Sequence, residues 1–454
     1  MKPSKAVRSL GKVKLPEGRY HPSVYNFTVE EDGIILLHNL FTKGMLALTG
    51  AEQAALFREV SHEALEKNPA LRYLAENRYL VHEGVNEQED YLSLNRFLFD
   101  LDREPYIKAY TILTTTACNA RCFYCYEQGF VPEHMSLQTA ADLAAYMMEH
   151  AGGRKLSLHW FGGEPLCNTP VIDHISRLLK DYEPGFVAEI ITNGYAFTPE
   201  LCRRAVEQWN VNQVQVAMDG MEEEHNRRKR FLAVGDESPF RRVVENIRHL
   251  LLNGVDVTVR LNFDPENYES IRELIQFLCR EFSQKQNLHF YIARIFHECG
   301  AWKSGRTAEE AREMLAQYRQ LRDSIPPEFQ PPGLLTNVHS YRTCIANDVH
   351  QRIVGPNGCF TPCYAISASR GYGSIYEGIT DRETYERWTS KSNLQPDCDG
   401  CPMLPRCTPF RRLCPAGEAD CLEKNRSGLA LALPKRYKHY LEEKAAKAAS
   451  QGCK

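Results

Sequence analysis

Cys118, Cys122 and Cys125 fall within the eight residues CNARCFYC, spaced C-x3-C-x2-C. That spacing sets three thiolates on one short loop. A structural zinc ion takes four ligands, and the adjacent sequence offers no His as the fourth. A [4Fe–4S] cube has four irons, and thiolates usually bind all of them. Three protein thiolates would leave one iron open to a small molecule. A second group of cysteines crowds the C-terminal third: Cys344, Cys359, Cys363, Cys398, Cys401, Cys407, Cys414 and Cys421. Taken alone, its CxxC pair would also suit one or two zinc sites. Cys167, Cys202, Cys279 and Cys299 read as small buried hydrophobes. Cys453 sits in the tail and is given no role.

The cysteine loop needs a scaffold. From about residue 105 to 300, short β-rich runs alternate with amphipathic ones. AYTILTTT, LSLHWFG, VAEIITN, QVQVAMD, VTVRLNF and LHFYIARI read as strands. LQTAADLAAYMMEHA, FRRVVENIRHLLLNG and ENYESIRELIQFLCREF read as helices. The alternation predicts parallel strands with helices outside. Six such units make an α/β fold, a partial (β/α)6 TIM barrel that is open and shorter than the eightfold form. Chemistry in such barrels sits at the C-terminal strand ends. The strand ends carry Cys118; Gly162, Gly163, Glu164 and Pro165; Thr192, Asn193 and Gly194; Asp219 and Gly220, with His225 and Arg228 behind; Arg260 and Asn262; and Arg294 and His297.

The chain has 454 residues, so more than one domain is expected. Residues 1–100 read as a separate unit. In it SVYNFTVEEDGIILLHNL forms a hairpin around Glu31, Asp32 and Gly33. TGAEQAALFREV and SHEALEKNPALRYLAEN follow as helices, with Thr49 and Ser61 as N-caps. Residues 301–340 read as a helical linker ending in a Pro-rich turn, and 341–425 as cysteine-rich loops. Residues 434–454 read as an exposed helix and tail. Hydrophobic content of 43% and charged content of 25% are those of a globular protein, and a net charge of −3 argues against nucleic acid as partner. No run is long and apolar enough for a membrane span, and the basic N-terminus lacks the apolar segment of a secretory signal. The expected location is the cytoplasm. There, 16 cysteines point to metal rather than disulfides.

CNARCFYC, GGEP and the polar strand ends together resemble the radical S-adenosylmethionine (SAM) enzymes. The C-terminal cysteines resemble the SPASM domain that some of them carry, and the likeness spans about residues 105–425. In that family SAM chelates the open iron through its amino and carboxylate groups. An electron from the reduced cluster cleaves the C5′–S bond, giving methionine and a 5′-deoxyadenosyl radical. The resemblance implies that Cys118, Cys122 and Cys125 hold the SAM cluster and that Tyr124 lies near the adenine. Gly162, Gly163 and Glu164 would receive the methionine amino group. Asn193, Asp219, Arg228 and Arg260 would line the SAM pocket. One position departs from the pattern: Ala217 stands where many relatives have a Ser, and it cannot hydrogen-bond a ribose.

The same resemblance implies two auxiliary [4Fe–4S] clusters. Cys398, Cys401, Cys407 and Cys421 would hold one; Cys344, Cys363 and Cys414 would hold the other. Cys359 either completes that second set or is spare. SPASM enzymes act mostly on peptides, and residues 1–100 resemble a winged-helix-like leader-recognition domain. Tyr364 follows Cys363, where sulfatase-maturing relatives have an Asp base, which argues against that activity. The implied function is maturation of a ribosomally made precursor peptide, by a Cys thioether or a side-chain carbon–carbon crosslink. A flavodoxin or ferredoxin would supply the electron. The alternatives are a sulfatase-type maturase, a dehydrogenase of a small alcohol, or an iron–sulfur or zinc regulator or electron carrier.

Overall fold

The structure is a computed structural model. It describes residues 15–31, 33–48, 53, 58–101, 106–232, 234–235, 237–283, 287–295, 297–298, 301–302, 308–331, 345–364, 371–389, 398–405, 429–430, 433–434, 436–438, 440–442 and 444. Cys299, Cys344, Cys407, Cys414, Cys421, Cys453 and Thr49 lie outside the described residues. The chain divides into two compact units. One is Arg103–Leu334 with Asp348–Thr389; the other is Met1–Asp102 with Leu335–Asn347 and Ser390–Lys454.

The larger unit is built on a ten-stranded sheet. Its first six strands are β1 (Ala109–Thr115), β2 (Leu156–Gly162), β3 (Phe186–Thr192), β4 (Val211–Met218), β5 (Asp256–Phe263) and β6 (Leu288–Arg294). They lie side by side in sequence order and are all parallel. The expected open six-stranded barrel is therefore present. The connecting helices include α1 (Leu137–His150), α2 (Thr169–Leu178), α3 (Pro199–Glu207), α4 (Glu222–Lys229), α5 (Pro239–Leu252) and α6 (Tyr268–Glu281). Local chemistry starts several of them. The Ser136 hydroxyl accepts from the Thr139 amide at the head of α1, and the Thr198 hydroxyl from the Leu201 amide at the head of α3. Pro199 occupies the first turn of α3, where no amide hydrogen is needed.

Side chains alternate across each strand. One set, including Leu158, Trp160, Ile190, Val216, Val259 and Phe290, joins helix residues such as Leu143, Ile175, Ile247 and Leu274 in a single core. The other set is largely polar, and in β2 it is only half-buried: Ser157, His159 and Phe161 alternate with the buried Leu156, Leu158 and Trp160.

The sheet continues past residue 300, where sequence reading expected only a linker and loops. β7 (Gln351–Val354) pairs parallel to β1. The chain then reverses through GPNG, with Gly358 at φ +81°, into antiparallel β8 (Cys359–Thr361), β9 (Gly373–Ser374) and β10 (Gly378–Ile379). These strands are two to four residues long, too short to show periodicity.

The smaller unit contains the expected hairpin, Asn26–Glu31 with Ile34–Asn39, extended by Met45–Leu48. A second sheet pairs Arg19–Pro22 with Val60–Ser61 and Leu80–His82. Ser61 caps a helix as expected, but the helix stops at Lys67. Asn68 accepts from the Ala70 and Leu71 amides and starts a second helix, Pro69–Glu76. The sequence signal was Asn-Pro, an N-cap followed by a first-turn proline. Tyr25, Phe27, Leu36 and Tyr91 share a core with Met403, Leu404, Leu429 and Leu433, against which Cys398 and Cys401 pack. Arg436, at the start of the stretch expected to be exposed, is buried.

Candidate functional site

The cysteine loop follows β1 directly and is fixed from two sides. On one side lies the turn after β2. The Gly163 amide donates to the Thr115 carbonyl and the Glu164 amide to the Ala117 carbonyl, both at 3.0 Å. A Cβ on Gly163 would stand 2.5 Å from the Ala117 oxygen and 2.7 Å from the Thr116 oxygen. Gly162, at φ +127°, has the Thr115 oxygen 2.1 Å from its Cβ position. Both positions therefore need glycine so that two backbones can meet just before Cys118. On the other side lies the end of α4. The Arg121 amide donates to the Lys229 carbonyl at 2.9 Å, and the Cys122 Sγ lies 3.8 Å from the same oxygen.

The three thiols are half-buried and act on one another. Burial pushes Cys118 up to about 12, with the charges of Glu164, Cys122 and Cys125 adding to it. Burial pushes Cys125 up to about 11 and raises Cys122 as well. Free thiols here would be protonated, so ligand formation must displace protons. Among the described residues no three His, Cys, Asp or Glu side chains converge on a single-ion site. A lone zinc would draw its thiolates to about 2.3 Å, whereas a four-iron cube takes one thiolate per iron. The donor set of three thiolates fits the cube.

Glu164 is fully buried. Its carboxylate accepts from the Asn193 amide (2.8 Å), the Thr192 hydroxyl (2.8 Å) and the Leu166 amide (3.2 Å). Burial pushes it up to about 7 against those donors. It thereby ties the β2 turn to the end of β3. Asn193 then reaches the loop: its Nδ2 donates to Asn119 Oδ1 at 2.6 Å and lies 3.8 Å from Cys118 Sγ.

Asp219 is the centre of a second buried cluster. Its carboxylate accepts from the Tyr124 hydroxyl at 2.7 Å and from Asn262 Nδ2 at 3.0 Å. Lys229 Nζ stands 3.2 Å from Asp219 Oδ1 and donates to the Tyr124 oxygen at 2.8 Å. Burial opposes the Asp219 charge, yet Lys229 and the hydrogen bonds hold it below the usual carboxylate range. Tyr124 thus belongs to this network through its hydroxyl. His225 is buried and driven to about 3 by desolvation, so it is neutral and its Nδ1 faces the Asp219 amide at 3.4 Å.

Arg228 does not join Asp219. It is fully buried, and both of its terminal nitrogens donate to Asp264 at 2.9 Å, with Glu224 on its Nε. The cation beside Asp219 is the next residue, Lys229, which sequence reading passed over. His225, Arg228 and Lys229 are spaced i, i+3, i+4, which sets them on one helix face. That spacing was the available signal. Arg260 Nε donates to Asn262 Oδ1 at 3.0 Å, on the half-buried polar face of the sheet.

Tyr364, next to Cys363, packs its ring 4.8 Å from Phe161 and 5.9 Å from Tyr126. Tyr126 follows Cys125, so the Cys363 segment stands beside the cysteine loop. Arg294 lies over the Tyr318 ring at 5.6 Å. Among the described residues, no helix is long and apolar enough to cross a membrane.

Comparison with known proteins agrees with this geometry. The Radical SAM superfamily profile matches residues 112–278. Over 393 residues the chain is 23% identical to the radical SAM cyclopropyl synthase of Paramaledivibacter caminithermalis, covering 78% of each protein. It is 23% identical over 239 residues to a probable GTP 3′,8-cyclase of Methanococcus maripaludis, covering 50% of this chain and 76% of that one. The solved structure of native anSMEcpe with bound AdoMet and Cp18Cys peptide superposes with a TM-score of 0.54 at 16% identity, covering 76% of this chain and 99% of that one. Members of the superfamily use a [4Fe–4S] cluster and SAM. The chain carries a radical SAM domain over residues 112–278 and is a radical SAM enzyme.

Proposed function

We propose that the chain matures a ribosomally made precursor peptide by radical chemistry. The observation that carries this reading is the Cys363–Tyr364 segment packed against the cysteine loop, with Tyr364 touching both Phe161 and Tyr126. Cys363 in that segment is a ligand of the proposed auxiliary set, which suits an enzyme that must remove an electron after bond formation. The peptide bound in the anSMEcpe structure, which shares the fold, supports a peptide substrate.

Cys118, Cys122 and Cys125 hold the SAM cluster. Gly162, Gly163, Glu164, Asn193, Asp219 and Arg260 form the surroundings of SAM. Arg228, spent on Asp264, acts there by positioning α4. One auxiliary cluster takes Cys398, Cys401, Cys407 and Cys421; the other takes Cys344, Cys363 and Cys414, with Cys359, on β8, completing that set or spare. Bound SAM would supply the radical that takes a hydrogen atom from a substrate carbon; a Cys thiol would close on that carbon as a thioether, giving up its proton to a base and the surplus electron to an auxiliary cluster. Carbon–carbon closure uses the same groups. The reductant is a flavodoxin or ferredoxin of the cytoplasm.

The smaller unit supplies leader recognition. Its strands Asn26–Glu31 and Met45–Leu48 are the edges of their sheet among the described residues. An extended leader can pair with such an edge.

The test is anaerobic reconstitution, with iron and sulfide counted per chain and 5′-deoxyadenosine measured after reduction with SAM. About twelve irons, four for each of three clusters, together with SAM cleavage, are expected. Replacing Cys118, Cys122 and Cys125 by Ala should abolish cleavage and leave about eight irons. About four irons in the wild type would remove the auxiliary clusters from this reading. Short peptides encoded next to the gene are then offered as substrates. If none is altered in mass, the maturase reading fails.

A further inference from the structure

Parallel strands covered on both faces read as continuous apolar runs. The strands here do not. The face turned away from the helices carries His159 on β2, Glu189 on β3, Gln215 on β4, Arg260 on β5 and Tyr291 on β6, all half-buried. Neighbours satisfy part of this surface, with Tyr291 donating to Gln215 at 2.8 Å and Arg260 to Asn262 at 3.0 Å, and its remaining polar atoms are open to water or to a polar ligand.

Two of these residues form a pair. His159 and Glu189 stand opposite each other in the β2–β3 register, with Nδ1 and Oε2 3.0 Å apart. Their side chains are 29% and 23% exposed. A carboxylate only accepts, so the Nδ1 of a neutral ring carries the proton and Nε2 keeps its lone pair. Nε2 has the Ser157 hydroxyl at 3.4 Å, too long to occupy it firmly. The pair lies three residues below Gly162, or about 10 Å along the strand. Phe161, on the same face one step above, packs on Tyr364 and so lies beneath the cysteine loop.

We propose that His159, held by Glu189, accepts the proton released when the peptide's new bond forms. The proposal rests on the peptide-maturase reading above. Joining X–H to C–H removes two hydrogens, whichever bond is made. One leaves as a hydrogen atom to the 5′-deoxyadenosyl radical. The other leaves as a proton to His159 Nε2, from a thiol in the thioether case. The remaining electron passes to an oxidised auxiliary iron–sulfur cluster. The carbon radical and X close the new bond. Besides Glu189, its partner in register, the groups facing this region are Thr111 on β1, Ser157 on β2, Gln215 on β4, Arg260 on β5 and His289 and Tyr291 on β6.

The experiment uses the reconstituted full chain with SAM, reductant and the peptide encoded beside its gene, deuterated at its side-chain carbons. Wild type should move deuterium into 5′-deoxyadenosine and give a product two hydrogens lighter. H159Q should still move deuterium but lose product by ~10² or more, the usual contribution of a general base. Its residual rate should no longer rise with pH. E189Q keeps an acceptor for Nδ1–H, so it should form product at an intermediate rate with a displaced pH profile. If H159Q does not hold iron, E189Q carries the test alone. Product at the wild-type rate and pH profile in the iron-loaded variant overturns the role of His159. Absence of deuterium transfer in wild type overturns the peptide reading, and this role with it.

Discussion

Lys229→Met tests the electrostatic core of the site. The ammonium lies 3.2 Å from Asp219 Oδ1, and neither side chain is more than 3% exposed. At that separation an effective dielectric of ~20 gives an attraction of about 5 kcal/mol, before desolvation is subtracted. Removing one member of a buried pair typically costs about 3–5 kcal/mol, because the other charge is stranded. Asp219 would keep the Tyr124 hydroxyl and Asn262 Nδ2 as donors. The loss should therefore fall near the lower end, ~3 kcal/mol. That is a large part of the ~5–15 kcal/mol of an ordinary domain. The measurement is the urea midpoint of iron-free protein, followed by a signal from the barrel unit. The second variant is Asp219→Asn with Lys229→Met, which has no stranded charge. It should be more stable than Lys229→Met alone, with a coupling of at least about 1 kcal/mol. A midpoint for Lys229→Met equal to wild type, or additive effects in the double variant, would refute the reasoning.

Further outcomes are expected at other positions. Gly163→Ala would drive a methyl group into the Ala117 and Thr116 carbonyls; it should destabilise by ~3 kcal/mol or more and lower iron retention, read by unfolding and iron assay. Glu164 has its carboxyl raised from 4.5 to about 7, so the folded state holds a proton that the unfolded state has released. Stability should then fall by about 3 kcal/mol as pH rises through that window. Glu164→Gln should lack that slope in midpoints measured against pH. Ala217→Ser restores a hydroxyl on the face that the resemblance assigns to the ribose, and SAM should bind up to ~10-fold tighter by calorimetry. Removing the leader from a processed peptide should weaken its binding without changing peptide-free release of 5′-deoxyadenosine.

Much of this was legible in the residues themselves. The six strands of the barrel announced themselves by short β-rich runs, and the middle four run into glycine, asparagine or aspartate: Gly162, Asn193, Asp219 and Asp264. Residue type alone ties the glycines at 162 and 163 to close backbone approach, and the contact with Thr115 and Ala117 supplies the reason. Arg228 and Lys229 were not separable by composition, because both sit in the run RRKR. What distinguishes them is direction: Arg228 meets Asp264, which arrives from the end of β5, and Lys229 meets Asp219. The polar inner face was visible as period-2 alternation in LSLHWFG and LHFYIARI, but only once those strands were held to the expectation for buried parallel ones. β7 to β10 were too short to announce themselves, and the split of the smaller unit's helix at Asn68 is a local capping choice.

The hold of α4 on the cysteine loop also bears on how the protein is made. Cys122 and the Lys229 carbonyl that lies against it are 107 residues apart. A ribosome adding ~5–20 residues per second needs about 5–20 s to produce that stretch. For that time the three thiols have been made and the surface that orders them does not yet exist. Iron delivered early would meet a loose peptide with three competing thiols. Iron delivered late would meet a loop already shaped for it. The ordering of this loop thus waits on translation of the barrel's second half, and a pause between β1 and α4 would lengthen the interval in which the thiols stand unprotected against oxidants.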